Sequence, residues 1–77
     1  MTTIKPMPAD AVPGELDLIG LDGNAGSVIG AVARALKRAG NPPEVVDQFR
    51  VEARSGNYDH LLATAMVWTT TPGEEEA

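Results

Sequence analysis

The chain has 77 residues, no cysteine, and eleven acidic against six basic side chains, which gives a formal net charge of −5. This length leaves room for one small domain with a limited core, and the absence of cysteine excludes a disulfide framework and thiolate chemistry. The negative charge disfavours a general binder of the nucleic-acid backbone, and no stretch approaches the ~20 apolar residues of a membrane span, so we expect a soluble protein of the cytoplasm.

The N-terminal residues are rich in proline. Pro6, Pro8 and Pro13 disfavour both a helix and an interior strand, which predicts a flexible arm over residues 1–15 before a single domain over 16–70. The run 15–21 alternates in part between apolar and polar residues. It predicts a short strand or an extended segment laid across the helices. If this segment pairs, the candidate partner is the β-branched stretch 67–71.

The longest predicted helix follows an Asp-Gly turn at 22–23. Asn24 is the predicted N-cap, because its side chain can accept hydrogen bonds from the first free amides of the helix. Apolar residues then recur on about one third of the helical circumference. Gly40 suits the left-handed conformation that commonly ends a helix, so the pattern predicts a helix over 25–39.

Two further helices are predicted downstream. Asn-Pro-Pro-Glu at 41–44 is typical of a helix start, with Asn41 as the cap and Glu44 reaching back to the cap amide as a capping box. The apolar spacing that follows predicts a helix over 43–54. Ser-Gly-Asn at 55–57 ends that helix and caps a third one over 58–68.

Together these segments predict a mainly α fold, a small three-helix domain with a short N-terminal extended segment or strand and flexible termini. The three glutamates near the C-terminus predict an acidic disordered tail over 71–77. Trp68 is interpreted either as the cover of the core or as an exposed anchor for a partner. The predicted core consists of Leu18, Leu21, Val28, Ile29, Val32, Leu36, Val46, Phe49, Leu61, Leu62, Ala65 and Met66.

A group of small residues with helical spacing is the candidate partner-binding site. Glycine inside a helix costs roughly 0.5–1 kcal/mol relative to alanine, so two glycines on one helix indicate that something approaches closely. Either this chain's own N-terminal segment or third helix lies there, or another chain docks there. We call this set the small-residue strip, and it consists of Gly26, Gly30 and Ala33 with the flanking Arg34 and Lys37.

An alternative function is the binding of a small ligand, an anion or a nucleic acid. The turn Asp22–Ser27 leads into a helix N-terminus, where free amides favour an anion, and Arg34, Lys37 and Arg38 form a basic cluster on the same helix. The glycine spacing matches neither the dinucleotide-binding nor the P-loop pattern. The competing explanation is a capped helix start that needs a flexible backbone.

No pattern in the sequence indicates catalysis. His60 is the single histidine, and its neighbour Asp59 cannot face it on a helix, so the two form no dyad. Without cysteine or a second histidine there is no typical zinc-binding set, and Ser27 has no evident base. We therefore predict a surface histidine, no metal or cofactor, and no enzymatic activity.

Three motifs are distinctive in this chain: Leu-Asp-Gly-Asn-Ala at 21–25, Ala-Leu-Lys-Arg-Ala-Gly at 35–40 and Ser-Gly-Asn-Tyr-Asp-His-Leu-Leu at 55–62. Together they resemble a group of short uncharacterised proteins encoded by bacteria, their plasmids and their phages, and the similarity spans about residues 16–68. Members of that group commonly carry a large apolar residue where this chain has Gly26. The resemblance implies a compact intracellular domain of mobile-element origin and nothing catalytic.

A looser likeness, of fold alone, links the predicted bundle to ubiquitin-associated three-helix modules, which bind proteins. The expected function is therefore a non-catalytic protein-interaction module that acts by binding a host or phage protein or by self-association.

Overall fold

The computed structural model of the chain describes residues 7–18 and 22–71. In chain order they form β1 (Gly14–Glu15), α1 (Ala25–Arg38), α2 (Pro43–Ala53), α3 (Tyr58–Trp68) and β2 (Thr69–Thr70). The predicted three-helix domain with a short N-terminal strand is confirmed, and each helix ends within one residue of its predicted bounds. No helix in the described ranges is long and apolar enough to cross a membrane.

Both ends of α1 are formed by local hydrogen bonds, as predicted. The Asn24 side chain accepts hydrogen bonds from the N–H groups of Gly26 at 2.8 Å and Ser27 at 3.4 Å. At the other end Gly40 has a φ of 99°, which is the left-handed conformation that favours glycine. The Gly40 N–H donates to the Lys37 carbonyl at 3.0 Å, so it satisfies one of the last free carbonyls of the helix.

The start of α2 differs from the prediction. Pro42 is the N-cap, and no side chain caps this helix. Asn41 is instead buried, with a 9% exposed surface, and its Nδ2 donates to the carbonyls of Val12 at 2.7 Å and Leu36 at 2.9 Å. Its Oδ1 accepts from the Val12 N–H at 2.8 Å. The predicted capping box of Asn41 and Glu44 is therefore wrong, because Asn41 holds the N-terminal segment against the end of α1.

The two strands form a short parallel pair. Gly14 pairs with Thr69 and Glu15 with Thr70, and the Leu16 N–H extends the ladder to the Thr70 carbonyl at 2.9 Å. The predicted partner stretch 67–71 is thus correct. β1 is shorter than the predicted segment 15–21 and begins one residue before it. The pair is short because α3 runs to residue 68, so only Thr69 and Thr70 of the predicted partner stretch form β2.

The approach of β1 to α1 requires a glycine. A Cβ built on Gly14 would lie 2.9 Å from the Cβ of Ala35 and 3.0 Å from its carbonyl carbon, which is closer than real Cβ atoms pack. Met7 and Ala11 also pack against the core. Residues 7–15, which the sequence assigns to a flexible arm, are therefore packed against the helices, and residues 1–6 lie outside the described ranges.

The core lies where the three helices meet. Trp68 is 2% exposed and its ring centroid is 5.6 Å from that of Phe49, which confirms Trp68 as the cover of the core. Leu16 and Leu18 pack against its edge, whereas Leu21 of the predicted core lies outside the described residues. The buried cluster contains Val28, Ile29, Val32, Ala33, Leu36, Val45, Val46, Phe49, Ala53, Leu61, Ala65 and Trp68.

The orientation of α3 corrects two predicted core positions. Leu62 is 36% exposed and Met66 is 67% exposed, so both lie at the surface. The inward side of α3 instead carries His60, Leu61, Thr64, Ala65 and Trp68. Burial of the indole decides this orientation, because a large aromatic side chain contributes more apolar area to a small core than Met66 does.

Candidate functional site

The small-residue strip does not form one continuous surface. Ala33 is 1% exposed and belongs to the core, whereas Gly26, Arg34 and Lys37 are exposed and Gly30 is half-buried. The reason is that α1 contacts α2, α3 and β1, so it buries more than the predicted third of its circumference. Four of the five predicted site residues thus lie on the outer side of α1.

The two helix glycines are not explained by packing within the described chain. A Cβ on Gly30 would meet only the Nη1 atom of Arg34, at an ordinary 3.6 Å. A Cβ on Gly26 would meet the cap oxygen of Asn24 at 3.2 Å. Within the described ranges, no atom of the N-terminal segment or of α3 lies within 4 Å of a Cβ placed on either glycine, so a close approach by another chain stays a prediction for this surface.

We expect Gly30→Ala to raise the free energy of unfolding by up to about 1 kcal/mol, because alanine restricts the unfolded chain and its Cβ makes only an ordinary contact with Arg34 Nη1 at 3.6 Å. Urea unfolding followed by circular dichroism measures the change. Gly26→Ala is the matched control and should gain less, since its Cβ presses on the Asn24 cap oxygen. A loss of stability in Gly30→Ala would show that some part of the chain needs this space.

The turn at Asp22–Ser27 has little capacity left for an anion. The N–H groups of Gly26 and Ser27 already donate to Asn24, and the Asn24 N–H donates to the Asp22 side chain at 3.1 Å. The Tyr58 hydroxyl donates to the Gly23 carbonyl at 2.6 Å, which joins this turn to the start of α3. The amides that would bind an anion are therefore used by the cap itself.

His60 is buried and forms part of the α2–α3 junction. It is 7% exposed, so the prediction of a surface histidine is wrong. Its Nε2 lies 3.1 Å from Glu52 Oε2, 3.0 Å from the Glu52 carbonyl oxygen and 3.1 Å from Ser55 Oγ. The connection around Gly56 folds back so tightly that a Cβ there would lie 2.8 Å from His60 Cγ.

Ser55, His60 and Glu52 do not form a catalytic triad. In a triad the serine and the acid bind opposite nitrogens of the imidazole, whereas here both contact Nε2. The Nδ1 atom is buried and finds no hydrogen-bond partner among the described residues. Ser55 Oγ also donates to the Glu52 carbonyl at 2.7 Å, which is a helix-end contact. The arrangement therefore stabilises the junction between the helices.

His60→Ala is expected to lower the free energy of unfolding by about 2 kcal/mol, because it empties a buried volume and removes the contacts to Glu52. Thermal and urea unfolding measure the loss. Asp59→Asn changes the exposed neighbouring side chain and serves as the control, with a smaller expected effect. Equal stability of His60→Ala and the parent chain would contradict a structural role for the imidazole.

Four of the six large apolar side chains that are exposed among the described residues lie on α3. Tyr58 is 42% exposed, Leu62 36%, Met66 67% and Val67 42%, and Ala63 lies between them on the same side of the helix. We call these five residues the outer face of α3. The opposite side of the same helix is buried in the core, so α3 carries large apolar residues on both sides, with Asp59 as the charged residue of the exposed side. A helix of this kind is normally covered all round.

Sequence reasoning missed this face because it assigned Leu62 and Met66 to the core. The available signal was the second set of apolar residues at 62, 63, 66 and 67, which repeats the spacing of a buried helix face. One other exposed apolar residue is prominent on the helices. Val51 of α2 is 71% exposed and lies beside a shallow groove whose other lining residues include three carboxylates.

Among the described residues, no three side chains of the types that ligate metals come together as a possible metal site.

Comparison with known proteins gives no match. No protein-family model, no curated protein and no solved structure matches this chain.

Proposed function

We propose that this protein is a non-catalytic protein-interaction module and that the outer face of α3 is its binding surface. The observation that carries the proposal is that α3 buries one apolar side in the core and leaves a second apolar side in water. A contiguous exposed apolar patch on a small domain is typical of a protein interface. Covering it would remove apolar area from water, which is the main driving force of association.

The composition of the face suits binding. Tyrosine and methionine are enriched at the centres of protein interfaces, and Met66 is the most exposed residue of the face. The Tyr58 hydroxyl is held by the Gly23 carbonyl at 2.6 Å, so this ring is already fixed before a partner arrives. A preorganised side chain loses less conformational entropy on binding.

The partner that we propose is a protein of a bacterial host or a phage, and the site of action is the cytoplasm. The exposed part of the small-residue strip is a second candidate contact, where Gly30→Leu should weaken binding without unfolding the domain.

The alternative of anion or nucleic-acid binding has less support. The Asp22–Ser27 turn uses its own amides, and only the basic cluster Arg34, Lys37 and Arg38 remains exposed for that role.

Affinity capture from a bacterial lysate tests the proposal, with the parent chain, Met66→Glu and Val51→Glu as baits. Met66 on α3 and Val51 on α2 are both exposed apolar residues, so the two variants differ mainly in which helix face receives the carboxylate. We expect a captured protein that survives nuclease treatment, is lost with Met66→Glu and is retained with Val51→Glu. Capture that depends on nucleic acid, or that is equal for all three baits, would contradict the proposal.

A further inference from the structure

A groove beside α2 lies apart from the outer face of α3. It runs between the N-terminal segment at Pro8, the end of α3 at Trp68 and the side of α2 that carries residues 44–52. We call it the α2 groove. None of its lining residues belongs to the outer face of α3, so the two surfaces can be altered independently.

The lining of the α2 groove combines apolar surface with negative charge. Pro8, Val51 and Trp68 contribute the apolar surface. Among the described residues, three carboxylates and no basic side chain line the same groove. The carboxylates belong to Glu44, Asp47 and Glu52. Such a surface suits lysine and arginine, because their aliphatic stems pack on apolar groups while their charged ends remain at a polar edge.

The three carboxylates differ in how far they are already engaged. Glu44 is exposed and has no ion-pair partner within the described ranges. Asp47 lies 3.5 Å from Arg50 Nη1, but both side chains are exposed, so this pair is weak and easily replaced. The Glu52 side chain is 18% exposed and its Oε2 is 3.1 Å from His60 Nε2. Glu44 and Asp47 can therefore accept new contacts, whereas Glu52 mainly adds charge.

The spacing of the carboxylates favours an elongated ligand over a single ion. They do not converge as a metal site, since no such group of three exists in the described part of the chain. Glu44 and Glu52 are eight residues apart on α2, which is about 12 Å along the axis at 1.5 Å per residue. In an extended peptide, side chains four residues apart point to the same face and span about 13 Å.

We propose that the α2 groove binds an extended segment of a partner protein that carries two basic side chains four residues apart. One basic side chain lies at Glu44 and Asp47, and the other lies near Glu52. Gln48 is exposed between these positions, and its amide can donate to and accept from a peptide backbone. This site goes beyond the proposed function and does not depend on it.

Titration of the full chain with synthetic peptides, followed by the N–H signals in NMR spectra, tests the site. The probe is a capped heptapeptide with lysine at its second and sixth positions and threonine and valine elsewhere. Trp68 is the single tryptophan and lines the groove, so its one indole signal reports on binding. We expect saturable shifts at α2 and Trp68 with a dissociation constant of about 0.1–1 mM, because exposed ion pairs contribute little each. The affinity should fall as salt rises.

Two pairs of variants test the charge of the groove. Val51→Lys and Val51→Glu both remove a 71% exposed valine and differ in the charge they introduce. Val51→Lys should weaken binding at least about tenfold, and Val51→Glu should bind at least as tightly as the parent chain. Glu44→Gln combined with Asp47→Asn should also weaken binding about tenfold. Glu15→Gln combined with Asp59→Asn removes the same charge outside the groove and should change it less than about twofold.

Several outcomes would overturn the site. They are the absence of saturable shifts with the lysine peptide, shifts that avoid α2 and Trp68, and equal binding by Val51→Lys and Val51→Glu. A peptide with adjacent lysines should bind at least about threefold more weakly, and equal affinity would overturn the proposed spacing. Equal binding of a linear alkyl diamine of similar span would overturn a peptide as the occupant. Capture that is lost with Met66→Glu tests the proposed function separately, since Met66 lies outside the α2 groove.

Discussion

Asn41→Ala should lower the free energy of unfolding by about 3 kcal/mol. The Asn41 side chain makes three hydrogen bonds, two with the backbone of Val12 and one with the carbonyl of Leu36, and it is 9% exposed. Its removal takes this partner from the Val12 N–H and carbonyl and releases the N-terminal segment from the end of α1, whereas the Leu36 carbonyl keeps the backbone N–H of residue 41 at 3.2 Å. An unsatisfied buried polar group costs about 1–3 kcal/mol. Because Val12 is partly exposed, water can replace part of the hydrogen bonding that its backbone loses.

Urea unfolding of Asn41→Ala and Asn57→Ala measures this effect against a matched control. Asn57 caps α3 through one hydrogen bond from the His60 N–H at 2.9 Å, so its loss should cost only about 1 kcal/mol. Amide exchange provides a local readout, because the Val12 N–H should lose protection in Asn41→Ala alone. Similar losses in the two variants would indicate that Asn41 acts as no more than a helix cap.

Trp68→Ala should cost about 3–5 kcal/mol, the largest effect of any single replacement that we expect. The indole is 2% exposed and lies against Phe49, with an angle of 59° between the rings. A domain of this size has a total stability of roughly 4–12 kcal/mol, so the variant should be partly or fully unfolded at ambient temperature. Circular dichroism and the loss of a cooperative thermal transition measure this.

Trp68→Phe separates packing from hydrogen bonding at the same position. The Trp68 Nε1 atom is buried and has no hydrogen-bond partner within the described part of the chain, so phenylalanine loses volume but no polar contact. We expect a cost of about 1–2 kcal/mol, well below that of alanine. Equal destabilisation by phenylalanine and alanine would mean that the indole N–H donates a hydrogen bond that stabilises the fold.

Trp68 and Met66 lie on opposite sides of α3, one for folding stability and the other for the proposed binding. They are two residues apart on one helix, yet one is 2% exposed and the other 67%. Replacement of Trp68 should unfold the domain, whereas replacement of Met66 should change association and leave the fold intact. Residues of the outer face of α3 can therefore be replaced to test binding without unfolding the domain.

The amino-acid sequence by itself determined the helices and most of their ends. Asn24 and Asn57 cap α1 and α3, and Gly40 ends α1, because each of these devices acts on amides or carbonyls only two to four residues away. Local chemistry of this kind can be read without knowing the fold. Composition also indicated the stretch near residue 69 as the candidate partner of a strand near residue 15, since few other residues were suited to a strand, but only the structure decided that the two segments pair.

Only the tertiary structure decided the roles of Asn41 and His60 and the orientation of α3. Asn41 satisfies Val12, which is 29 residues away, and His60 contacts Glu52 of the preceding helix, so no local pattern could assign them. For α3, apolar residues on both sides left two orientations open. Burial of Trp68 against Phe49 selected one of them and left Met66 in water, because the most apolar area is removed from solvent that way.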